Sequence, residues 1–313
     1  MTLVSIPANP VPDDAVAGTF KTPDGVSLRF ARWAPPRGRK GTVCLFQGRS
    51  EFIEKYFETA RDLRARGFAV ATLDWRGQGM SERALGNPRK GHVRNFAQYQ
   101  IDLESFINEI VLPDCPPPLF ALGQSMGATI LLRAAHAGHR WFDRMVLLAP
   151  MMALPRRSGG SRILVKAMRA LGLGSLYVPG GSAATIMQRP FKGNLLTSDP
   201  VRYARNVAVI EAEPALAIGS PTVSWCDAAF QAMAELWDAS YPAQIRQPIL
   251  IIAAGMDAIV STAAIGEFAV RLRSGSHLIV PGARHELLME QDRFRNQALA
   301  AFDAFVPGTP LFK

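Results

Sequence analysis

The chain contains few residues that could form disulfide bonds or bind metal ions. Its 313 residues include only three cysteines and five histidines. Cys44, Cys115 and Cys226 are far apart and form no Cys-x-x-Cys pair, so their spacing predicts neither a disulfide framework nor a zinc site. The histidines lack the i, i+4 spacing with which a helix holds a metal ion. We therefore expect no metal site.

Long apolar runs are also missing. No apolar stretch reaches the roughly 18 residues that a membrane-spanning helix needs. Residues 1–14 have neither the basic start nor the long apolar core of a signal peptide. The sequence thus predicts a soluble, cytoplasmic protein. Apolar residues make up 48% of the chain and charged residues 19%, which is typical of globular proteins and argues against wholesale disorder.

The chain is basic, with a formal net charge of +9. Such a charge favours anionic surfaces, either lipid headgroups or nucleic acid. No nucleic-acid-binding motif accompanies the charge, so we expect no nucleic-acid partner and favour an anionic membrane. Residues 151–198 include no acidic residue and seven basic ones, namely Arg156, Arg157, Arg162, Lys166, Arg169, Arg189 and Lys192.

Apolar strands alternate with amphipathic helices over most of the chain. Apolar runs predict strands at residues 42–46, 68–73, 119–122, 145–149, 249–254 and 277–280. The uninterrupted run at 42–46 is typical of a strand covered on both faces. A hairpin precedes them at residues 17–33. This alternation predicts a parallel sheet with helices on both faces. The alternation is lost between the predicted strands at residues 145–149 and 249–254. We therefore expect an α/β core of residues 1–150 and 242–313 with a helical cap insertion at residues 151–241.

Ser125 lies at the centre of a Gly-Gln-Ser-Met-Gly turn between a predicted strand and a predicted helix. Gly123 and Gly127 would let strand and helix approach closely, while the serine between them takes a strained backbone conformation. The start of the following helix adds free N–H groups and the positive end of its dipole. An ordinary glycine-rich turn with an exposed serine would fit the same five residues, but the flanking strand and helix favour a nucleophile.

A serine nucleophile needs a general base and a carboxylate that orients the base. In open α/β sheets such groups lie at the carboxyl ends of strands. Asp257 and His285 follow the last two predicted strands, whereas Asp227 and Asp238 lie in the insertion. A helix cap or a turn would also explain Asp257 taken alone. Together with Ser125, the chain order Ser, Asp, His predicts a catalytic triad.

The tetrahedral intermediate of acyl transfer carries an oxyanion that needs backbone donors. One donor should be the N–H of Met126, directly after the nucleophile. The second should come from Gly48 and Arg49, which follow the first central strand, and the N–H of Arg49 is favoured. A simple strand-ending turn is the alternative explanation for Gly48.

Five motifs carry a resemblance to a known family. They are Gly-Gln-Ser-Met-Gly at 123–127, Asp-Trp-Arg-Gly-Gln-Gly-Met-Ser at 74–81, Lys-Gly-His-Val at 90–93, Gly-Met-Asp at 255–257 and Gly-Ala-Arg-His-Glu at 282–286. Together they resemble the lysophospholipase/monoacylglycerol lipase branch of the α/β-hydrolases, also described as serine aminopeptidase-like. The resemblance implies a mostly parallel eight-stranded sheet with helices on both faces, a cap over the cleft, and Ser125, Asp257 and His285 as triad. It also implies hydrolysis of carboxylic esters of lipids with one acyl chain.

The chain departs from the branch near the predicted nucleophile. Glutamine precedes Gly48 where many members have histidine, Gln124 stands where histidine is common, and Arg49 occupies a position often held by a small residue. We expect Gly48 and Gln124 to contact the substrate. The Arg49 side chain either contacts a phosphate headgroup or pairs with Glu51 or Glu54, and pairing is favoured because exposed arginines usually find a carboxylate.

The insertion contains a basic amphipathic helix. Three cations lie on one face and apolar residues on the other, namely Arg162, Lys166 and Arg169 against Ile163, Leu164 and Met168. One interpretation is that the basic face docks peripherally on the inner membrane surface, while the three apolar residues contact the acyl chain. The other, slightly favoured, is a cap helix with its polar face in water.

The sequence therefore predicts a serine esterase that forms an acyl-enzyme and requires no cofactor. His285 would deprotonate Ser125 and then protonate the leaving alcohol, while Asp257 fixes the imidazole tautomer. Two alternatives are open. The same triad could hydrolyse small esters or peptides, because a fold does not determine a substrate. A lipid-binding protein of the same fold could also lack activity altogether.

Overall fold

The protein is described here from a computed structural model, which covers residues 2–35, 40–155 and 159–306. Eight strands form one sheet in the order β1-β2-β4-β3-β5-β6-β7-β8. They are β1 (Ala15–Lys21), β2 (Ser27–Trp33), β3 (Thr42–Phe46), β4 (Ala69–Leu73), β5 (Leu119–Gln124), β6 (Arg144–Leu148), β7 (Ile249–Ala254) and β8 (Gly275–Val280). The pairs β1-β2 and β2-β4 are antiparallel and all others are parallel. The predicted mostly parallel sheet of eight strands is confirmed.

Helices connect the strands and cover the sheet. They are α1 (Phe57–Ala65), α2 (Ala97–Phe106), α3 (Leu112–Asp114), α4 (Met126–His136), α5 (Gly159–Ala170), α6 (Pro200–Ala212), α7 (Val223–Glu235), α8 (Tyr241–Gln244), α9 (Thr262–Ala269) and α10 (Asp292–Phe305). A π-helical segment, Ile107–Val111, joins α2 to α3. Short 3-10 helices lie at Ile53–Tyr56, Ile186–Gln188, Pro214–Leu216 and Leu287–Met289.

The central strands are buried on both faces, which explains their continuous apolar runs. In β3, Val43 and Leu45 pack into the core on one side of the sheet, while Cys44 and Phe46 pack into the core on the other. All five residues of β3 are buried. Because β3, β5, β7 and β8 run parallel, their carboxyl ends meet at one edge of the sheet, where a site can form.

The stretch between β6 and β7 is helical. Its described residues contain α5, α6, α7 and α8 and no strand beyond an isolated bridge between Tyr177 and Thr222. Arg202 on α6 ties this segment to α1 through two hydrogen bonds to Glu58, of 2.6 and 2.9 Å. Arg156 and Arg157 lie outside the described residues. Among the described helices, none is both long and apolar enough to cross a bilayer.

Candidate active site

Ser125 connects β5 to α4 in a strained turn. Its backbone angles are φ 49° and ψ −111°, in a region that residues with a side chain rarely adopt. A Cβ atom on Gly127 would lie 2.5 Å from the carbonyl oxygen of Phe46, and one on Gly123 would lie 3.0 Å from Ala128. Only glycine at these two positions permits such close contact between the start of α4 and the strands. The serine is thereby held at the strand tip, as the sequence pattern predicts.

His285 and Asp257 approach Ser125 from the loops after β8 and β7. The Nε2 atom of His285 lies 3.0 Å from Ser125 Oγ, and its Nδ1 atom lies 2.7 Å from Asp257 Oδ2. The other carboxylate oxygen of Asp257 accepts the backbone N–H groups of Ile259 and Val260 at 2.8 and 2.9 Å. With Nδ1–H donating to the fixed carboxylate, Nε2 is free to accept the serine proton. The three side chains predicted to converge lie within hydrogen-bonding distance.

Two backbone N–H groups beside Ser125 are available as oxyanion donors. Within the described residues, neither Arg49 nor Met126 donates its backbone N–H to an acceptor. Met126 is the first residue of α4, where helical N–H groups have no partner within the helix. The N–H of Gly48, by contrast, donates to the Glu51 carboxylate and is occupied. This difference favours Arg49 over Gly48 as the second donor.

Gly48 holds the loop after β3 close to Ser125. A Cβ atom at Gly48 would lie 3.3 Å from the Cβ atom of Ser125, so a larger residue would push the loop away. Gly48 lines the cavity at Ser125, as expected for a substrate contact. Gln124 does not. Gln124 is buried, and its Nε2 atom donates to the His285 carbonyl oxygen at 3.1 Å, in the loop after β8. The expectation that Gln124 contacts substrate is wrong for this cavity, because its side chain points to the loop that carries His285.

A buried group of charges lies next to the triad. Lys55 Nζ is 2.7 Å from both Glu51 Oε1 and Glu286 Oε1. Tyr56 donates its hydroxyl to Glu51 at 2.7 Å. Burial raises the pKa of Glu286, and Lys55 offsets this effect only in part. For Glu51 burial also acts upward, but Lys55, Tyr56 and the Gly48 N–H outweigh it and lower the pKa.

This charge group escapes sequence reasoning. The only local signal is that Glu51 and Lys55 stand four residues apart. Glu286 joins them across the fold, and nothing near it in sequence identifies its partner. The group fixes both the loop that carries Gly48 and the residue next to His285.

The side chain of Arg49 forms no ion pair in the described structure. Glu51 is held by Lys55 and Glu54 by Arg29, so the favoured prediction that Arg49 pairs with one of these carboxylates is wrong. The Arg49 guanidinium instead lies 4.9 Å above the Trp225 ring. It donates to the Ser50 hydroxyl and to the Gly219 carbonyl oxygen, each at 2.9 Å. Burial lowers the pKa of Arg49 to about 10.

A cavity of about 320 Å³ opens at Ser125 and His285. Much of its wall is apolar and comes from the loop after β6, the cap segment and the loop after β7, namely Met151, Leu154, Ile186, Met187, Leu196 and Val260. Arg49, Ser50 and Ser220 add polar groups. The cavity therefore combines a reacting centre with space for an apolar chain and a polar region.

The predicted apolar contacts from α5 do not line this cavity. Ile163 and Leu164 are 73% and 49% exposed, and Met168 also lies outside the cavity wall. The helix is oriented by its opposite face, because Arg169 pairs with Asp227 on α7 at 2.6 Å. The expectation that Ile163, Leu164 and Met168 contact substrate is therefore not met at this cavity.

The sheet order and the Ser125, His285 and Asp257 geometry define an α/β-hydrolase. The family model described as serine aminopeptidase, S33, matches residues 37–292. The chain belongs to this family.

Curated relatives and solved structures agree with that membership. Lysophospholipase L2 of Escherichia coli (strain K12) is 30% identical over 298 residues, covering 91% of this chain and 86% of that protein. Monoglyceride lipase of Rattus norvegicus is 25% identical over 179 residues, 57% of each chain. A soluble variant of monoglyceride lipase from Saccharomyces cerevisiae, solved with a substrate analogue, shares the fold at a TM-score of 0.75 with 19% identity, over 96% of this chain and 98% of that one. The resemblance predicted from the motifs is confirmed.

Proposed function

We propose that this chain hydrolyses the carboxylic ester of lipids that carry a single acyl chain, with Ser125 as nucleophile, His285 as general base and Asp257 as orienting carboxylate. The observation that carries the proposal is the hydrogen-bonded series from Asp257 through His285 to Ser125, with distances of 2.7 and 3.0 Å. The names of the relatives, lysophospholipase and monoglyceride lipase, support ester hydrolysis of such lipids.

The reaction follows from the positions of these groups. His285 Nε2 accepts the hydroxyl proton as Ser125 Oγ attacks the acyl carbonyl carbon. The backbone N–H groups of Arg49 and Met126 stabilise the negative oxygen of the tetrahedral intermediate. The imidazolium then protonates the leaving alcohol, which leaves an acyl-enzyme. A water molecule, deprotonated by His285, attacks the acyl carbonyl and releases the fatty acid.

The apolar wall of the cavity indicates that it binds the acyl chain of the substrate. An apolar chain gains free energy when it leaves water for such a surface, about 0.8 kcal/mol per buried methylene group. A cavity of about 320 Å³ lies at the lower end of the range for small-ligand sites, which suits one chain better than two. A lipid with a single acyl chain is therefore favoured.

Replacing the nucleophile tests the proposal. We expect Ser125→Ala to lower kcat at least about 10⁴-fold and to abolish labelling by a fluorophosphonate. Fatty-acid release should be measured from a lysophospholipid, a monoacylglycerol with the same chain, a short ester and a peptide. Ser274→Ala, which changes an exposed serine outside the site, should leave labelling and turnover intact.

Three results would contradict the proposal. Labelling that persists in Ser125→Ala would place the nucleophile elsewhere. A wild-type protein that cleaves the peptide or the short ester far better than either lipid would support the small-ester or peptidase alternative, and one that binds lipid without turnover would support the non-catalytic alternative.

We also propose a peripheral contact with the anionic inner membrane surface through α5. Ile163, Leu164 and Leu171 are exposed by 73%, 49% and 75%, and the cations Arg162 and Lys166 lie beside them. Apolar side chains flanked by cations favour insertion at an anionic lipid interface. The net charge of +9 supports the same partner. The proposed contact thus uses the apolar residues of this helix, whereas the docking interpretation of the sequence used its basic face.

A further inference from the structure

The guanidinium of Arg49 has more donors than acceptors. Of its five N–H groups, one bonds the Ser50 hydroxyl and one bonds the Gly219 carbonyl oxygen, each at 2.9 Å. Its Nε atom is buried and has no acceptor among the described residues. No described carboxylate lies within ion-pair distance of the side chain. Apart from its contact with the Trp225 ring, the cation therefore stands at the cavity with no anionic partner and with donors unused.

Other buried arginines of the chain are neutralised. Arg29 contacts Glu54 and Asp74 at 2.8 and 2.6 Å. Arg76 contacts Asp24 and Asp102, each at 2.7 Å. A buried charge without a partner is unfavourable, so such groups are normally paired or bind an anion. Arg49 lacks such a pairing, as does the half-buried Arg83, which donates to backbone carbonyl oxygens. Arg49 differs from Arg83 because it lines the cavity at Ser125.

The carboxylate nearest in sequence cannot supply the missing charge. Glu51 lines the same cavity, but its oxygens accept from Lys55, Tyr56 and the Gly48 N–H. The pKa of Arg49, although lowered by burial to about 10, keeps the side chain charged at neutral pH. An anion that enters with the substrate is then the remaining partner.

Arg49 also stands where a substrate headgroup would lie. It lines the cavity together with Ser125 and His285, next to the polar residues Ser50 and Ser220. A second cation, Arg189, lines the cavity and is exposed, with no ion pair in the described structure. The apolar wall accommodates the acyl chain, which leaves the region of Arg49 for the alcohol part of the ester.

We propose that the Arg49 side chain binds the phosphate of a lysophospholipid headgroup and thereby selects phosphate-bearing esters over neutral monoacylglycerols. The inference rests on the function proposed above and narrows its substrate class. Guanidinium binds phosphate through two parallel N–H bonds, which suits arginine better than lysine for this role. The phosphate takes no part in bond cleavage. It holds the ester so that its carbonyl carbon faces Ser125.

The test compares two substrates with the same acyl chain, a lysophospholipid and a monoacylglycerol. The quantity measured is the ratio of their kcat/KM values, which cancels any general effect on the oxyanion loop. We expect Arg49→Met to lower this ratio about tenfold to a hundredfold, the usual range for hydrogen bonds to a charged group. Arg49→Lys should retain part of the preference, because lysine keeps the charge but lacks the two parallel N–H groups of the guanidinium. Arg246→Met removes an exposed cation elsewhere and should leave the ratio unchanged.

A second measurement begins with the wild-type protein, so its first result does not depend on the folding of a variant. In the wild-type protein, sn-glycerol 3-phosphate should inhibit hydrolysis of a short neutral ester competitively, while glycerol at the same concentration should not. Inhibition by the phosphate should weaken at least about tenfold in Arg49→Met.

Three results would overturn the inference. An equal loss on both lipids in Arg49→Met would show that the cation acts on the oxyanion or on the loop. An unchanged ratio, or equal inhibition by glycerol and its phosphate, would show that phosphate is not recognised here. Turnover of the neutral esters by the wild type separates these failures from failure of the proposed function, in which no ester would be cleaved.

Discussion

Glu58 of α1 holds two arginines of α6. Its carboxylate lies 2.6 Å from Arg202 Nη2 and 2.7 Å from Arg205 Nη2. Burial acts to raise the pKa of Glu58, but the hydrogen bonds from these arginines outweigh it and lower the pKa to about 2. A carboxyl group with a lowered folded-state pKa stabilises the fold above its unfolded pKa, and this contribution is lost as the pH falls. The attachment of α6 to the core should thus weaken between pH 4.5 and pH 2.

We predict that Glu58→Gln lowers the free energy of unfolding by about 1–2 kcal/mol at pH 6. The pKa shift of Glu58 taken alone would correspond to a larger loss of unfolding free energy, but water screens the partly exposed carboxylate. The difference from wild type should shrink by more than half at pH 3. Urea unfolding at both pH values measures it. Glu267→Gln, at an exposed glutamate of α9 without a described ion pair, should cause no pH-dependent difference. An equal cost of Glu58→Gln at both pH values would contradict the linkage.

At the level of single residues, sequence predicts what depends on neighbours in the chain. Ser125 was identifiable from its flanking glycines, and Asp257 and His285 from their places after strands. The partners of Arg49 were not, because Gly219 and Trp225 come from the distant cap segment. The sequence pattern favoured pairing of Arg49 with a nearby carboxylate. In the structure those carboxylates pair with other cations.

The packing of α4 against the sheet depends on Gly127. A Cβ atom there would lie 2.5 and 2.6 Å from the carbonyl oxygens of Phe46 and Gln47. These are backbone atoms of the segment that leads into the oxyanion loop, so they cannot turn aside as a flexible side chain would. We predict that Gly127→Ala costs about 1–3 kcal/mol of stability. By displacing Ser125 from the loop, it should also lower kcat/KM on a short ester about 100-fold.

Gly86→Ala is the matched control for this substitution. Its added Cβ atom would meet no heavy atom within 4 Å, so stability and activity should remain close to wild type. Chemical unfolding and steady-state kinetics measure both effects. Wild-type kcat/KM in Gly127→Ala would show that the close approach at this position is not needed to align the site.

The elements with continuous apolar runs were the ones that sequence predicts best. The predicted strand at residues 42–46 coincides with β3, because a strand covered on both faces needs apolar residues throughout. The last helix, α10, begins only at Asp292. The Glu290 carboxylate accepts the N–H groups of Arg284 and Ser198 at 2.8 and 3.1 Å, which holds the preceding segment in another path. Ser198 belongs to the cap segment, so this contact cannot be read locally.

For the molecule as a whole, the loss of alternation after residue 150 indicated a helical insertion, but not its orientation. An amphipathic helix has two faces that can pack, and periodicity alone does not decide between them. Here Arg169 pairs with Asp227, Arg162 lies over Phe230 and Val165 is buried, so this side of α5 meets α7. Most of the other apolar residues of α5 are left exposed. Only the partner helix, which lies more than fifty residues further along the chain, decides this arrangement.

The exposed apolar face of α5 leads to a prediction for the whole enzyme on a membrane. We expect Ile163→Glu combined with Leu171→Glu to reduce co-sedimentation with anionic vesicles at least about tenfold. Two apolar side chains that would enter the lipid are then replaced by charges that anionic lipid repels. Hydrolysis of a short water-soluble ester should not change, since neither residue lines the cavity. Val270→Glu alters an apolar residue directly after α9 that is 80% exposed, and it should leave binding intact. Binding that depends on vesicle charge but not on Ile163 and Leu171 would show that cations alone dock the protein, and no binding to either vesicle type would remove the membrane contact from its function.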